Sequence, residues 1–558
     1  TTAANLLLRS AEAGVAEASY YLGQLYETGQ IGFIDTEKAI KYYREADMNK
    51  RPGAALRLGL LLLARNKEED VNNAVNLVKI AADYGVKDAQ LHYAKILDQG
   101  KFTKKNLQLA ATYYKSSAND GELSSQRRLA ELYAGVDGFN KDLELSFYWL
   151  LKVAQQGDAE ASYQIAEAYL SGQGVEVDRK QAVSWFEKAA LKDYEDAAWR
   201  LVQLIHPNQD LKSLKAYEKY LKLAADKENP EAAVLYAKFI IKNKLNDTTF
   251  LVALEYLKKA IERENAEAMF QMAAFLADED YGIFDPDKSI YYYNQSARLG
   301  FLEAQLLLAS IYDNPGTAIY NPQKAFEFSE AAAKQGHPEG LYFYGEMLLN
   351  GRGTGANFSA GAEAIMVSAE KGYAPAQLLL AEIYSSGKGI QISESLSLKW
   401  LMASATQKYQ QAYYLLGETL RRKAVSLEEI KEAIYWLELA AANNEPKAQF
   451  ALSKIYFDGE GISLDKVLGE KYLINAAENG LPEAQFEFAK ILEKKDGSNE
   501  RIASLMISAA ESGFADAFKQ AGLYLRNSTK NSDREKGAFF LKQAADAGDG
   551  VSQLETAY

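Results

Sequence analysis

The chain has 558 residues with no cysteine, and 63 Lys+Arg stand against 76 Asp+Glu, a net charge of −13. That balance excludes a general nucleic-acid binder, which needs a basic face, and the missing cysteine excludes disulfides and thiolate metal sites while leaving the compartment open. The longest apolar run, around Leu56 to Ala64, is about half of the ~20 residues that a membrane span requires.

Taken in order, the chain opens inside a helix, Ala4 to Ala11. No signal peptide is visible and residue 1 is Thr, so the sequence reads as a processed or trimmed product. Small residues then set a period. They stand at Ala18, Ala54, Ala89, Ser125, Ala161, Ala197, Ala232, Ala268, Ala304, Gly340, Ala376, Ala412, Ala448, Ala484, Ala517 and Ser552. The spacing is 35 or 36 residues, with 33 between Ala484 and Ala517. A second small residue follows five later (Gly23, Gly59, Ala94, Ala130, Ala166 and onward), with Val202 the exception. Helix backbones approach closely only across small side chains, so both positions mark helix crossings. This length would ordinarily suggest three or four domains, but the internal period predicts one repeat solenoid over residues 1–558.

The unit is clearest from Gly157 to Ala190. Ala161, Ile165, Ala166, Ala168 and Tyr169 form an apolar stripe at helical spacing. Ser171-Gly172-Gln173-Gly174 breaks it, because glycine takes the left-handed conformation that ends a helix. Asp178 is placed to cap a second helix whose buried face carries Ala182, Trp185, Phe186, Ala189 and Ala190. Other second helices repeat the design: Ala39 to Ala46 with Tyr42 and Tyr43, Ala110 with Tyr113 and Tyr114, Ala253 with Tyr256, Ala433 with Trp436. These aromatics are predicted to fill the gap between successive hairpins.

Between repeats, glycine precedes the first small residue by four in ten of sixteen cases, as at Gly14, Gly85, Gly300, Gly372 and Gly480. Proline two before it (Pro52, Pro230, Pro338, Pro446, Pro482) suits the first turn of a helix. From residue 193 to 264 the glycine is missing three times running, and the turns lose Gly-x-Gly at His206-Pro207-Asn208 and from Asn243 to Thr249. Altered curvature is expected there, at a seam between two regular arms. The chain ends inside a first helix, Ser552 to Tyr558, and neither end reads as a polar cap, so the parent protein is expected to extend further.

Reactive constellations are scarce. His92, His206 and His337 lie in separate repeats without a second metal-type ligand at helical spacing. No nucleophile elbow, P-loop or HExxH motif occurs. Gly351-Arg352-Gly353-Thr354-Gly355 occupies a hairpin turn rather than a phosphate cradle. Asp278, Asp280, Asp285 and Asp287 make a solvated acidic turn without calcium-loop spacing, and Asp287 is expected to cap the next helix. No metal, no cofactor and no catalysis are expected.

The pattern AEASYYLGQLYETG at Ala16–Gly29, the segment SGQGVEVDRKQAVSWFEKAA, and YSSGKGI and YFDGEGI farther along resemble Sel1-like repeats, relatives of the tetratricopeptide repeat. The resemblance implies an all-α, right-handed α/α superhelical solenoid of about fifteen hairpins, serving as a non-enzymatic adaptor or scaffold for other proteins. Family settings include adaptors of ER-associated degradation, bacterial envelope and host-interaction proteins, and periplasmic exopolysaccharide-secretion scaffolds of the alginate lipoprotein type. The run YYLGQLYETGQIGFIDTEKAIKYY looks like the last group. A periplasmic or envelope location is therefore expected, with the ER lumen or cytoplasm as alternatives.

In that superfamily the first helices line the concave surface. Residues three after the first small residue then face inward, beginning with Tyr21 and continuing through Arg57, His92, Arg128, Gln164 and Arg200. Past the seam the same row becomes Leu307, Phe343, Leu379 and Leu415, and the row at plus six reads Ser310, Glu346, Glu382 and Glu418. One arm would carry a basic ladder for an acidic peptide or an anionic polysaccharide. The other would carry an apolar ridge rimmed with acid for a partner's helix or extended peptide. The competing reading has the arginines paired with Asp88, Glu131, Glu160 and Asp196, and the leucines packed inside.

Overall fold

The computed structural model describes residues 2–48, 50–205, 211–244, 247–495 and 499–557. His206-Pro207-Asn208 and residues 245–246 of the altered turns lie outside the described residues. The protein is an all-α helical solenoid: thirty-two α-helices, and no strand among the described residues, follow one another as packed hairpins. They are numbered α1 to α32 along the chain. Even numbers are the first helices of hairpins, odd numbers the second. The chain forms two compact units, Thr1–Ala268 and Met269–Tyr558. In each, the core is a succession of clusters between neighbouring helices, such as that from Ala39 to Trp149 in the first unit and that around Leu401, Leu416, Leu437 and Leu452 in the second.

All sixteen periodic small residues are buried, and the glycines show what each faces. In α20 (Pro338–Asn350), a Cβ on Gly340 would lie 2.6 Å from the Ala332 Cβ of α19 (Pro322–Lys334). Five residues on, a Cβ on Gly345 would lie 2.8 Å from the Ile365 side chain and 2.9 Å from the Gly361 carbonyl of α21 (Phe358–Glu370). The first small residue therefore seats a first helix on the preceding hairpin, and the second seats it on its own partner. Gly23 against Tyr43 (2.6 Å) and Gly522 against Leu541 (2.7 Å) repeat the second contact.

The hairpin of α10 (Ala159–Ser171) and α11 (Arg179–Leu191) follows the sequence pattern closely. The Asp178 side chain accepts from the Lys180 and Gln181 amides, and Ala182, Trp185, Phe186, Ala189 and Ala190 are all buried. In the Gly-x-Gly turns the second glycine lies against the helix of the repeat before: a Cβ on Gly353 would sit 2.0 Å from the Pro322 carbonyl oxygen. One expectation is corrected. The cap before α17 (Pro286–Arg298) is Asp285, whose carboxylate accepts from the Lys288 amide, not Asp287. Pro286 takes the first helical position, so the capping residue is the one before it.

The link between hairpins is one residue with positive φ, four before each first small residue. Ten of the sixteen are glycine, with φ of 74–98°. The other six are Lys50, Asp193, Glu228, Glu264, Lys408 and Asn444, with φ of 56–66°. At 193, 228 and 264 the link thus keeps a left-handed conformation although the glycine is gone.

A second device recurs one residue after the first small residue. Gln377 donates to the Ala369 carbonyl (3.1 Å) and accepts from Gln407 (2.7 Å), tying three successive helices together. Gln126 does the same with Ala118 and Gln156, Gln305 with Ala297 and Gln335, and Gln449 with Ala441 and Asn479. The pattern explains two buried orphan acceptors, Gln90 Oε1 and Gln485 Oε1. Five before the next first small residue, where the other repeats carry the donating amide, stand Asp120 and Ser512.

Candidate interaction surface

In the first unit the predicted basic row is engaged within the chain. Arg128 Nε and Nη2 donate to the two Asp98 carboxylate oxygens at 2.7 and 2.9 Å, and further bonds reach Glu131 (2.9 Å) and Asp137 (2.5 Å). Asp98 is almost wholly buried and also accepts from the Tyr114 hydroxyl. These hydrogen bonds push the Arg128 guanidinium further up and hold the Asp137 carboxyl below its usual range. Arg200 is bidentate to Glu167, at 2.6 and 3.2 Å, and also meets Gln203. Arg57 lies 3.6 Å from Glu27. His92 is half-buried; desolvation, reinforced by Lys95 and opposed by Asp88, holds its imidazole below the usual range. Gln164 lines a cleft with Arg127, Glu160 and Tyr163, and there Arg127 is paired with Asp158 and Glu160. Tyr21 is exposed and borders another cleft with Leu7, Gln24 and Arg57.

In the second unit the predicted rows divide. Leu307 is half-buried against the cluster of Tyr293, Leu308 and Tyr312, and Phe343 is half-buried beside the Tyr342 ring. Leu379 and Leu415 rest on core clusters below and line open clefts above. One cleft, of about 400 Å³, runs between α20 and α22 (Ala374–Ser386). It holds Tyr342, Glu346, Leu378, Leu379, Glu382 and Tyr409. The next, of about 550 Å³, continues to α24 (Gln411–Lys423) with Glu382, Tyr414, Leu415, Glu418, Thr419 and Arg422. Both open on the first-helix face, and Glu382 belongs to both.

The plus-two row was not anticipated: Tyr342, Leu378 and Tyr414 line these clefts beside the predicted residues. Their apolar and aromatic character at one fixed offset is visible in the sequence. Burial, then Glu346, pushes the Tyr342 phenol well up; burial, then Glu339, pushes Tyr373 up to about 12. The three acids differ in environment. Glu418 is paired with Arg421 at 2.7 Å, and Glu346 with Arg352 at 3.3 Å, which Asp313 shares at 3.1 Å. The Glu382 carboxyl reaches solvent, yet the cleft walls strip away enough water to push it above its usual range. What the arrangement offers is a strip of leucine and tyrosine bordered by carboxylates. Among the described residues there is no group of three or more acids or histidines placed to hold a metal, and no helix long and apolar enough to cross a membrane.

Comparison with known proteins agrees with this build. The sequence model of the Sel1 repeat matches residues 16–46, 87–122, 123–158, 159–194, 266–301, 302–337, 338–363, 374–409, 410–445, 446–481 and 521–549, more than half of the chain. Among solved structures, c5321, a protective antigen present in uropathogenic Escherichia coli strains, is 23% identical, with a TM-score of 0.56 over 88% of this chain and 97% of that one. A Sel1 repeat protein from Oxalobacter formigenes is 24% identical, with a TM-score of 0.41 over 61% of this chain and 90% of that one.

Proposed function

Because the chain belongs to the Sel1 repeat family, we propose that it is a non-enzymatic scaffold that holds a partner protein on the first-helix face of its second unit. The observation that carries this reading is the pair of adjoining clefts floored by Leu379 and Leu415, joined at Glu382 and open to solvent. An extended or helical segment laid along them would bury apolar area over several repeats, and a few central anchors would supply most of the affinity. The first unit supports a binding role less well, since Arg128 and Arg200 already have their carboxylates. The same pairing weighs against an anionic polysaccharide as partner.

The location we propose is the bacterial envelope, in exopolysaccharide export or surface assembly; cell fractionation with an antibody to the chain tests it. For the scaffold reading itself, the intact chain is used as bait and captured proteins are identified by mass spectrometry. Ser386→Trp/Thr419→Trp places one bulky uncharged side chain in each cleft, at positions away from the core. Loss of the captured proteins at an unchanged melting temperature is expected. Identical capture by the double variant and the wild type would overturn the reading.

A further inference from the structure

Successive first helices bring three glutamates to one face, and the fold treats the middle one differently. Glu346 and Glu418 each have an arginine, Arg352 and Arg421. Glu382 forms no ion pair among the described residues. In the first cleft Glu346 and Glu382 stand with one cation, Lys388. In the second Glu382, Glu394 and Glu418 stand with Arg422 and Lys423, of which Lys423 is paired with Glu394; each cleft thus holds one more carboxylate than cations. The first cleft's lysine, Lys388, meets Asn350 Oδ1 of the same cleft wall at 3.3 Å and the Phe358 ring at 5.3 Å, not Glu382. Two tyrosines, Tyr342 and Tyr409, line the same cleft as Glu382.

Resting on the scaffold reading above, we propose that Glu382 receives a lysine or arginine side chain of the partner segment, whose apolar neighbours lie on Leu378, Leu379 and Leu415. A carboxylate held partly out of water without a counter-ion is unfavourable, and a cation entering from a partner restores what the fold withholds. Tyrosine faces attract the same cation through the ring quadrupole, and a long aliphatic stem packs on leucine while its charged head meets the acid. Charge and shape thus select one class of partner: an apolar segment interrupted by a basic residue. An acidic segment would place like charges against Glu346, Glu382 and Glu418.

The test pans a displayed library of random twelve-residue peptides on the intact chain, then measures the retained peptides against variants. Peptides with a lysine or arginine among apolar residues are expected. Glu382→Gln should weaken them about tenfold or more, and Glu382→Lys should shift selection to acidic peptides. Removing the unpaired charge relieves a destabilised group, so Glu382→Gln should melt no lower than wild type at neutral pH, which separates lost binding from unfolding. If the retained peptides lack a basic residue, or Glu382→Gln binds them equally, the cation site is overturned. If those peptides are still lost by Ser386→Trp/Thr419→Trp, the scaffold reading survives that failure. Retention of no peptide, or equal retention by every variant, defeats both.

Discussion

Replacing Glu264 by glycine should stabilise the first unit, although it deletes a side chain. Glu264 links two hairpins at φ 56°, in the left-handed region, where an ordinary residue carries roughly 1–2 kcal/mol of strain. Glycine removes that strain but gains freedom in the unfolded chain, which offsets about 0.5–1 kcal/mol. The net expectation is a gain of about 0.5–1 kcal/mol. Glu264 is the cleanest site for the purpose, being exposed and without an ion pair among the described residues, whereas Asp193 pairs with Lys227 at 2.8 Å and Glu228 pairs with Arg263. The reverse change is Gly300→Ala, at φ 92°, where a Cβ would meet no atom within 4 Å. Its loss, about 1 kcal/mol, would be conformational alone. Guanidinium denaturation followed by circular dichroism and by tyrosine fluorescence provides the assay, two probes being needed because repeat arrays depart from all-or-none unfolding. A neutral or destabilising Glu264→Gly together with a harmless Gly300→Ala would refute the reasoning.

Five further substitutions follow from the packing. Gln377→Leu leaves the Ala369 carbonyl and the Gln407 amide without a shared partner, and should cost about 1–3 kcal/mol, seen as faster hydrogen exchange in α21 and α22. Asp120→Asn supplies the donor that Gln90 Oε1 lacks, and should raise stability by up to about 1 kcal/mol in the same denaturation assay. Gly353→Ala forces a Cβ onto the Pro322 carbonyl oxygen, while Gly355 has open space around it; the first should cost about 2–4 kcal/mol and Gly355→Ala almost nothing. Arg128→Met strands the buried Asp98 carboxylate, and should lower stability by about 3 kcal/mol, with a calorimetric melt as the measurement.

The fold was legible because its period rests on a geometric necessity. With Val202 the one exception, alanine, glycine or serine stands wherever two helices touch at these positions, and residues such as Ala161 and Ala166 therefore announce themselves in one dimension. Asp178 was equally visible, since capping is a local bond. Partners across repeats were not. Glu131 lies within one turn of Arg128, but Asp98 lies thirty residues earlier, and its approach depends on how one hairpin is rotated on the next. The same rotation decides whether the plus-two or the plus-three row faces a cleft, which is why Tyr342 and Tyr414 were missed while Leu379 and Leu415 were found. The two kinds of row, one helix position apart, look alike in sequence. At 193, 228 and 264 the loss of glycine does not remove the left-handed link: Asp193, Glu228 and Glu264 adopt the positive φ that glycine takes elsewhere.

The decisive question is which face of the second unit meets other proteins. A photo-crosslinking amino acid placed singly at Ser386 and Thr419, on the first-helix clefts, and at Leu427 and Val467, exposed on second helices, reads this directly in cells. The prediction is a discrete higher-mass adduct from the first pair and none from the second. Adducts arising only from Leu427 or Val467 would contradict it.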